Sequence, residues 1–137
     1  MRQPQSDIFF LHAFVLWWLK MISWEKTVSY LNLNDQKEIE PVPGFKARFV
    51  HTDHMTLGYW NVTAGSALPQ HAHVHEQIAN VIEGEYEFTI AGETKVLKPG
   101  QVAVIPSNVS HSGKALTKCV LIDAFYPVRE DYKSATS

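Results

Sequence analysis

The chain has little of what marks several large classes of protein. Its 137 residues include one cysteine, which excludes a disulfide framework within the chain and suits a reducing compartment. The formal net charge is −2, so no excess of basic residues recommends a nucleic acid as a partner. Glycine-rich phosphate loops, nucleophile elbows and internal repeats are also missing from the sequence. The sequence therefore indicates an ordinary globular protein, and we expect a cytoplasmic location.

The sequence also lacks an apolar run long enough to cross a membrane. The most apolar stretch, residues 8–19, falls short of the roughly 20 residues that a spanning helix needs, and no small-residue cleavage site of a signal peptide follows it. We expect residues 1–22 to be an apolar, helical extension, either an upstream-start product or a packing helix. An ordinary amphipathic N-terminal helix is the alternative. Residues 23–130 then form the main domain and residues 131–137 a polar tail, with no membrane partner.

From residue 45 onward the pattern is that of short strands. Apolar and polar residues alternate in several segments, and a glycine, proline or asparagine turn follows most of them. Near-regular spacing of short strands and turns predicts an all-β sandwich or barrel. The single cysteine, Cys119, lies in the apolar run 119–122, which favours a buried, unreactive thiol. The predicted strands cover residues 45–50, 55–63, 77–82, 85–90, 94–97, 101–105, 111–116 and 118–126.

One histidine-rich segment has the spacing of a metal site. In an extended chain, His71, His73 and Gln77 have the same parity and can project to one side. Neutral imidazole is a common ligand for transition metals, and His111 is the best candidate for a fourth ligand. A second histidine pair, at residues 51 and 54, falls on opposite faces of a strand and is interpreted as part of a solvated turn. The sequence therefore predicts one site for a divalent transition metal.

The last predicted strand carries a second group of candidate site residues. Asp123 and Phe125 have the same parity, and Arg129 follows a proline. An acid within an apolar strand is costly to bury unless it is paired or functional. One interpretation is a structural ion pair between Asp123 and Arg129. The other is a catalytic group at the mouth of a barrel, with Asp123 as proton shuttle, Phe125 as a flat wall and Arg129 as a clamp on a substrate carboxylate.

Two spaced motifs resemble those of the cupin family. The first comprises Gly65, His71, His73, Gln77 and Gly84, and the second comprises Gly100, Pro106, Asn108 and His111. The chain differs from the family pattern at Gln77, where an acid is usual, and at Asn108, where glycine is usual. The resemblance implies a double-stranded β-helix, or jelly-roll barrel, that binds one metal ion inside. The implied ligands are His71, His73, Gln77 and His111.

Within the cupins, the chain is similar to the small KdgF-type proteins of pectin and alginate breakdown. The similarity lies in the run 71–77 and in the C-terminal Asp123, Phe125 and Arg129. It implies a metal-dependent, isomerase- or hydratase-type enzyme that converts 4,5-unsaturated monouronates to linear ketonised sugars. The implied ligand is a small carboxylated sugar, and the implied metal is Ni, Zn, Fe, Mn or Cu. His75 and Glu76 are expected at the rim or behind the ligands.

Other functions and features remain open at this point. An Fe(II)-dependent cupin dioxygenase would use the same three histidines, and a non-catalytic sugar-binding cupin would use the same barrel. Arg48 and Tyr59 could reach the barrel mouth from neighbouring strands, although a structural role is favoured for Tyr59. A homodimer is expected because exposed strand edges are often paired and cupins commonly form dimers.

Overall fold

The computed structural model describes residues 28–137. Within residues 28–137, ten strands are followed by one helix, and a short 3-10 helix, Leu33–Asp35, precedes them. The predicted extension over residues 1–22 lies outside the described residues. Within the described part, no helix is long and apolar enough to cross a membrane. The elements are β1 (Ile39–Val42), β2 (Phe45–His51), β3 (Thr56–Val62), β4 (Ala67–His71), β5 (Glu76–Glu83), β6 (Tyr86–Ile90), β7 (Glu93–Leu97), β8 (Val102–Ile105), β9 (His111–Ala115), β10 (Cys119–Tyr126) and α1 (Glu130–Thr136).

The strands form two antiparallel sheets. The larger sheet has the order β1-β2-β3-β10-β5-β8, and the smaller has the order β4-β9-β6-β7. The order differs from the chain order because β10 returns between β3 and β5, and β9 between β4 and β6. Crossing between sheets in this way brings the ends of β4, β5, β9 and β10 together. The all-β prediction is confirmed.

The core lies between the two sheets and follows from the alternation of each strand. On β2, Phe45, Ala47 and Phe49 are buried, whereas the intervening residues point outward. Phe45 of the larger sheet meets Tyr86 of the smaller sheet edge to face, with 6.4 Å between the ring centroids. Gly113 on β9 makes room for Tyr86, because a Cβ atom at this position would lie 2.4 Å from the tyrosine ring. Cys119 is buried, as predicted.

The structure departs from the sequence-based expectations at three elements. Strands β1 and β4 were not predicted, because prolines at positions 41 and 69 interrupt the alternating pattern on these strands. Residues 131–137, expected as a polar tail, lie mostly in α1, which the sequence pattern did not predict. The physical reason is Tyr132, whose ring stacks on Phe49 with 4.4 Å between the centroids. The same ring meets Trp60 edge to face at 6.0 Å, so Tyr132 anchors an otherwise polar segment to the barrel.

Candidate metal centre

Three histidines converge from three different segments. His71 ends β4 and is paired in register with His111, the first residue of β9. His73 lies in the loop between β4 and β5, where its carbonyl accepts a 2.8 Å hydrogen bond from Asn108 N. One ring nitrogen of each histidine lies within 4.8 Å of those of the other two. The predicted grouping of the histidines is found, but it does not arise from one continuous extended segment, as the parity argument assumed.

Backbone carbonyls orient all three imidazole rings. The Nδ1 atoms of His71, His73 and His111 lie 2.8, 3.0 and 2.8 Å from the carbonyl oxygens of Pro69, His75 and Val109. A carbonyl can only accept, so each Nδ1 carries the proton and each Nε2 presents a lone pair. A carbonyl behind the ring is the usual means of fixing a metal-binding histidine. His75 therefore contributes its backbone carbonyl to the site.

Gln77 completes the cluster from β5. Its Oε1 lies 3.2 Å from His73 Nε2, and its Nε2 donates a 3.1 Å hydrogen bond to Asp123 Oδ2. Because His73 Nδ1 carries the proton of that ring, Gln77 Oε1 and His73 Nε2 are two acceptors facing one another. His111 Nε2 is buried and has no hydrogen-bond partner among residues 28–137. Converging lone pairs of this kind fit a bound cation.

The local environment favours the neutral form of His73 and His111. Burial, with the positive charge of Arg129 as a smaller cause, lowers the pKa of His73 to about 4. Burial also lowers the pKa of His111. Both rings are therefore deprotonated near neutral pH, which is the form that coordinates a metal. The donor set of three imidazoles and one amide suits a divalent transition metal.

Asp123 lies next to the cluster, on β10. Its side chain is buried, and burial raises its pKa to about 7. Trp60 and Gln77 oppose this rise as hydrogen-bond donors, and Arg129 opposes it by its charge. The Trp60 indole N–H does not reach full hydrogen-bond geometry, however, and Asp123 Oδ1 is likewise buried without a partner within residues 28–137. A carboxyl group in this state can gain or lose a proton near neutral pH.

Arg129 follows β10 and precedes α1. Its Nε and Nη2 atoms donate to the two carboxylate oxygens of Asp131, at 2.9 and 2.7 Å. Its Cζ lies 4.9 Å from the centroid of Phe125. The alternative of a structural ion pair between Asp123 and Arg129 is wrong, because the arginine pairs with Asp131 and the aspartate with Gln77. The turn into α1 brings Asp131 closer than β10 brings Asp123.

One cavity contains all seven predicted site residues. The four candidate metal ligands lie beside Asp123, Phe125 and Arg129 in its wall. Arg48 and Tyr59 are absent from this wall: they face each other across β2 and β3 on the outer side, and Arg48 pairs with Glu38. His54 lies in an exposed turn, as predicted, but the prediction is wrong for His51, which is the partly buried last residue of β2 and stacks on Phe49. The remaining lining residues are Pro41, Val42, Phe45, Trp60, Leu68, Tyr86, Phe88, Leu121 and Tyr132.

Sequence reasoning missed two polar groups of this cavity wall. Trp60 lies on β3, and its indole nitrogen is directed toward Asp123. Tyr132 lies on α1 and reaches the cavity beside Arg129. The inward parity of residue 60, shared with residues 58 and 62 on β3, could have indicated Trp60. No comparable signal exists for Tyr132, because its place depends on how α1 packs on the barrel.

Comparisons with known proteins give a consistent result. Residues 58–125 match the family model for the cupin domain. The chain is 33% identical to the pectin degradation protein KdgF of Dickeya dadantii (strain 3937) over 92 residues, which cover 65% of this chain and 84% of that protein. The structure of KdgF from Halomonas sp. superposes with a TM-score of 0.72 and 28% identity, covering 77% of this chain and 99% of that chain. Oxalate decarboxylase OxdC of Bacillus subtilis, described with Mn(II) centres, shares only the fold, with a TM-score of 0.64 and 22% identity over 74% of this chain and 30% of that chain.

Proposed function

Because this chain belongs to the KdgF-like cupins, we propose that it converts 4,5-unsaturated monouronates to linear ketonised sugars. The substrates would be the products that lyases release from pectin or alginate. The observation that carries the proposal is the single cavity in which the histidine cluster adjoins Asp123, Phe125 and Arg129. A metal-ligand set, an acid and a carboxylate-binding cation are the groups that this conversion of a small sugar acid requires.

The metal would be held by His71, His73, Gln77 and His111. The facing acceptors and the unpartnered His111 Nε2 support this assignment. A divalent cation supplies positive charge that polarises a neighbouring substrate oxygen. All four ligands are neutral, so the positive charge of the ion would not be offset by the protein. This favours a Lewis-acid role over the stabilisation of a higher oxidation state.

Arg129 would bind the carboxylate of the uronate. Guanidinium and carboxylate groups match as bidentate partners, and the Arg129 side chain is only 11% exposed, so water would screen the contact little. Phe125 is buried beside it and offers an apolar wall to one face of the sugar. The substrate is thereby oriented with its carboxylate at the arginine and its ring toward the histidines.

Asp123 would move the proton. Ring opening breaks the bond between C1 and the ring oxygen and removes a proton from the C1 hydroxyl, while ketonisation adds a proton at C4 and leaves a carbonyl at C5. The net change is an isomerisation, so one group that loses and regains a proton can serve both steps. Asp123 has a free Oδ1 in the cavity, and Gln77 holds its Oδ2. The acid is therefore fixed in orientation and open on one side.

The proposed reaction is expected to be metal-dependent. Unsaturated monouronate absorbs ultraviolet light through its conjugated C4=C5 bond, and the protein should accelerate the loss of this absorbance. Chelation should abolish the acceleration, and adding back a divalent metal should restore it, because the cavity without the cation does not polarise the substrate. The measurement is the absorbance trace with intact, chelated and reloaded protein.

Two results would contradict the proposal. If the absorbance of the unsaturated uronate falls no faster with fully metal-loaded protein than without protein, the uronate reaction is rejected. Oxygen consumption with the same protein and another small organic acid would favour the dioxygenase alternative.

We also infer that the protein is a homodimer. Val102 and Val104 on the edge strand β8 are 47% and 71% exposed, and Ile78 on β5 lies opposite Val104 on the same outer face. A second copy could cover this apolar face and the edge of β8, which pairs with no further strand among residues 28–137. Light scattering should give twice the mass of the chain, and Val104→Lys should give the monomer. Val96→Lys on β7 is the matched control and should leave the dimer intact. A starting protein that is monomeric in solution would reject the inference.

A further inference from the structure

Helix α1 supplies two side chains to which the proposed reaction assigns no task, Asp131 and Tyr132. The helix is attached to the barrel at several points. The ring of Tyr132 stacks on Phe49 at 4.4 Å and meets Trp60 edge to face at 6.0 Å. At its other end, Lys37 Nζ donates a 2.9 Å hydrogen bond to the carbonyl of Ala135. The helix is therefore a fixed part of the cavity wall.

The contacts of Arg129 converge on its guanidinium group. Asp131 accepts from Nε and Nη2, and the Tyr132 ring lies 4.0 Å from Cζ. Phe125 packs against the same group from β10, at 4.9 Å. The backbone N–H of Arg129 donates a 3.0 Å hydrogen bond to Thr56 Oγ1. The backbone, the plane and one edge of this side chain are all restrained.

We propose that Asp131 and Tyr132 are positioning residues that hold Arg129 as a preformed receptor for the carboxylate of the sugar acid. The inference rests on the proposed function, because it concerns the same substrate. A guanidinium group has five N–H donors, and Asp131 uses one on Nε and one on Nη2. The edge formed by Nη1 and the second N–H of Nη2 lies outside that pair. This edge matches a carboxylate with two parallel hydrogen bonds.

The negative charge of Asp131 would also repel the substrate carboxylate. The solvent exposure of Asp131 and Arg129 decides whether this repulsion or the orientation of Arg129 has the larger effect. The Asp131 side chain is 58% exposed, whereas that of Arg129 is 11% exposed. Water therefore screens the repulsion between Asp131 and the substrate carboxylate. Arg129 is largely shielded from water, so its pairing with that carboxylate is screened less and depends on the orientation of the guanidinium group. Fixing a long, flexible side chain before the ligand arrives removes part of the entropy cost of binding.

The test of Asp131 is the affinity of the zinc-loaded protein for D-galacturonate, a saturated uronate that carries the carboxylate and does not react. Calorimetry should show about tenfold weaker binding for Asp131→Asn than for the starting protein, because the amide loses one charge-assisted bond to the guanidinium. Glu130→Gln is the matched control, since it removes a neighbouring acid of the same helix, whereas the ion pair of Arg129 is with Asp131. This control should bind galacturonate with unchanged affinity.

Tyr132 is tested by the same titration. Tyr132→Ala should weaken galacturonate binding by about tenfold, because the ring that covers the guanidinium is lost. Tyr132→Phe should restore binding, since the stacked ring remains. Tyr59→Ala is the control, because this tyrosine lies on the outer side of β3 and is absent from the cavity wall. Thermal unfolding of each variant identifies any that has lost its fold, in which case Asp131→Asn carries the test alone.

A spectroscopic measurement reports the orientation without activity or ligand. In the zinc-loaded protein, the Nε–H group of Arg129 should give a protected, resolved nuclear magnetic resonance signal, identified by its loss in Arg129→Lys. Asp131→Asn should broaden or remove this signal, and Glu130→Gln should leave it unchanged. If Asp131 only stabilised the helix, its replacement would not change the Arg129 Nε–H signal.

The outcomes separate this inference from the proposed function. Equal affinities of Asp131→Asn and Glu130→Gln, or an unchanged Arg129 signal in Asp131→Asn, would overturn the positioning role. Failure of the starting protein to bind galacturonate would overturn it as well. Binding of galacturonate with the expected variant effects, but without turnover of unsaturated uronate, would reject the proposed reaction and retain the carboxylate receptor.

Discussion

Asp123→Asn is expected to lower kcat for the unsaturated uronate by about 1,000-fold, the scale on which a positioned general acid or base contributes. The amide has nearly the same shape as the carboxylic acid, and its oxygen can still accept the hydrogen bond from Gln77 Nε2. It cannot lose and regain a proton during the reaction. The bound metal, measured by elemental analysis, should stay at one equivalent because Asp123 is not among the four candidate ligands.

The stability of this variant gives an independent control on the fold. Burial raises the pKa of Asp123 from 3.8 to about 7, so its contribution to the free energy of unfolding is fully present below pH 3.8 and is lost as the pH rises through about 7. The asparagine variant has no such loss, and the metal-free variant should be at least as stable as the metal-free starting protein at pH 8. Asp53→Asn, in an exposed turn, should change neither kcat nor stability.

Equal loss of turnover and of metal from Asp123→Asn would contradict the assignment. In that case Asp123 would act by supporting Gln77 and the histidine cluster. Retention of full kcat would exclude Asp123 as the proton-moving group and would direct attention to Tyr132, which lies in the cavity wall beside Arg129.

Gln77→Glu is expected to lower kcat by about 100-fold while the protein keeps or tightens its hold on the metal. The introduced carboxylate would be a stronger ligand for a divalent cation than the neutral amide. It would also replace the N–H group that now donates to Asp123 Oδ2 at 3.1 Å, and two carboxylates at that distance cannot both be ionised. The proton that the reaction requires would then be shared between the two acids.

The measurement for this variant is kcat together with metal stoichiometry and affinity. Gln101→Glu is the matched control, because Gln101 is exposed and its Oε1 already accepts from the backbone N–H of Lys98, a role that a glutamate fulfils equally. Unchanged kcat in Gln77→Glu would show that the amide is not needed to orient Asp123. A loss of metal would show that a neutral oxygen ligand is required at this position.

Much of the fold follows from local pattern. All eight predicted strands begin and end within one residue of the observed ones, because each has an inward and outward alternation bounded by a turn. Strands β1 and β4 were missed because Pro41 and Pro69 interrupt that alternation, and in β1 and β4, at the sheet edges, a residue without an N–H is tolerated. Helix α1 was not predicted, because the contacts of Tyr132 with Phe49 and Trp60, rather than periodicity, hold it on the barrel.

The histidine cluster shows where local reasoning ends. The residue types and their approximate spacing predicted that the candidate ligands would cluster, and the three histidines do lie together. The parity argument, however, treated residues 71–77 as one strand. Instead, His71 ends β4, His73 lies in a loop and Gln77 is the second residue of β5, which belongs to the other sheet. Their convergence depends on the pairing of β4 with β9 and on the return of β10 beside β5.

The sequence by itself determined the all-β class, the identity of the four candidate metal ligands and the candidate triplet Asp123, Phe125 and Arg129. Residue type, parity and spacing can be determined from the sequence without knowledge of the tertiary structure. Only the tertiary structure decided that Arg129 pairs with Asp131, that Gln77 links the histidines to Asp123 and that Tyr132 forms part of the cavity wall. Each of these contacts joins separate elements or depends on the turn between them, and side-chain geometry across elements is set by packing rather than by local pattern.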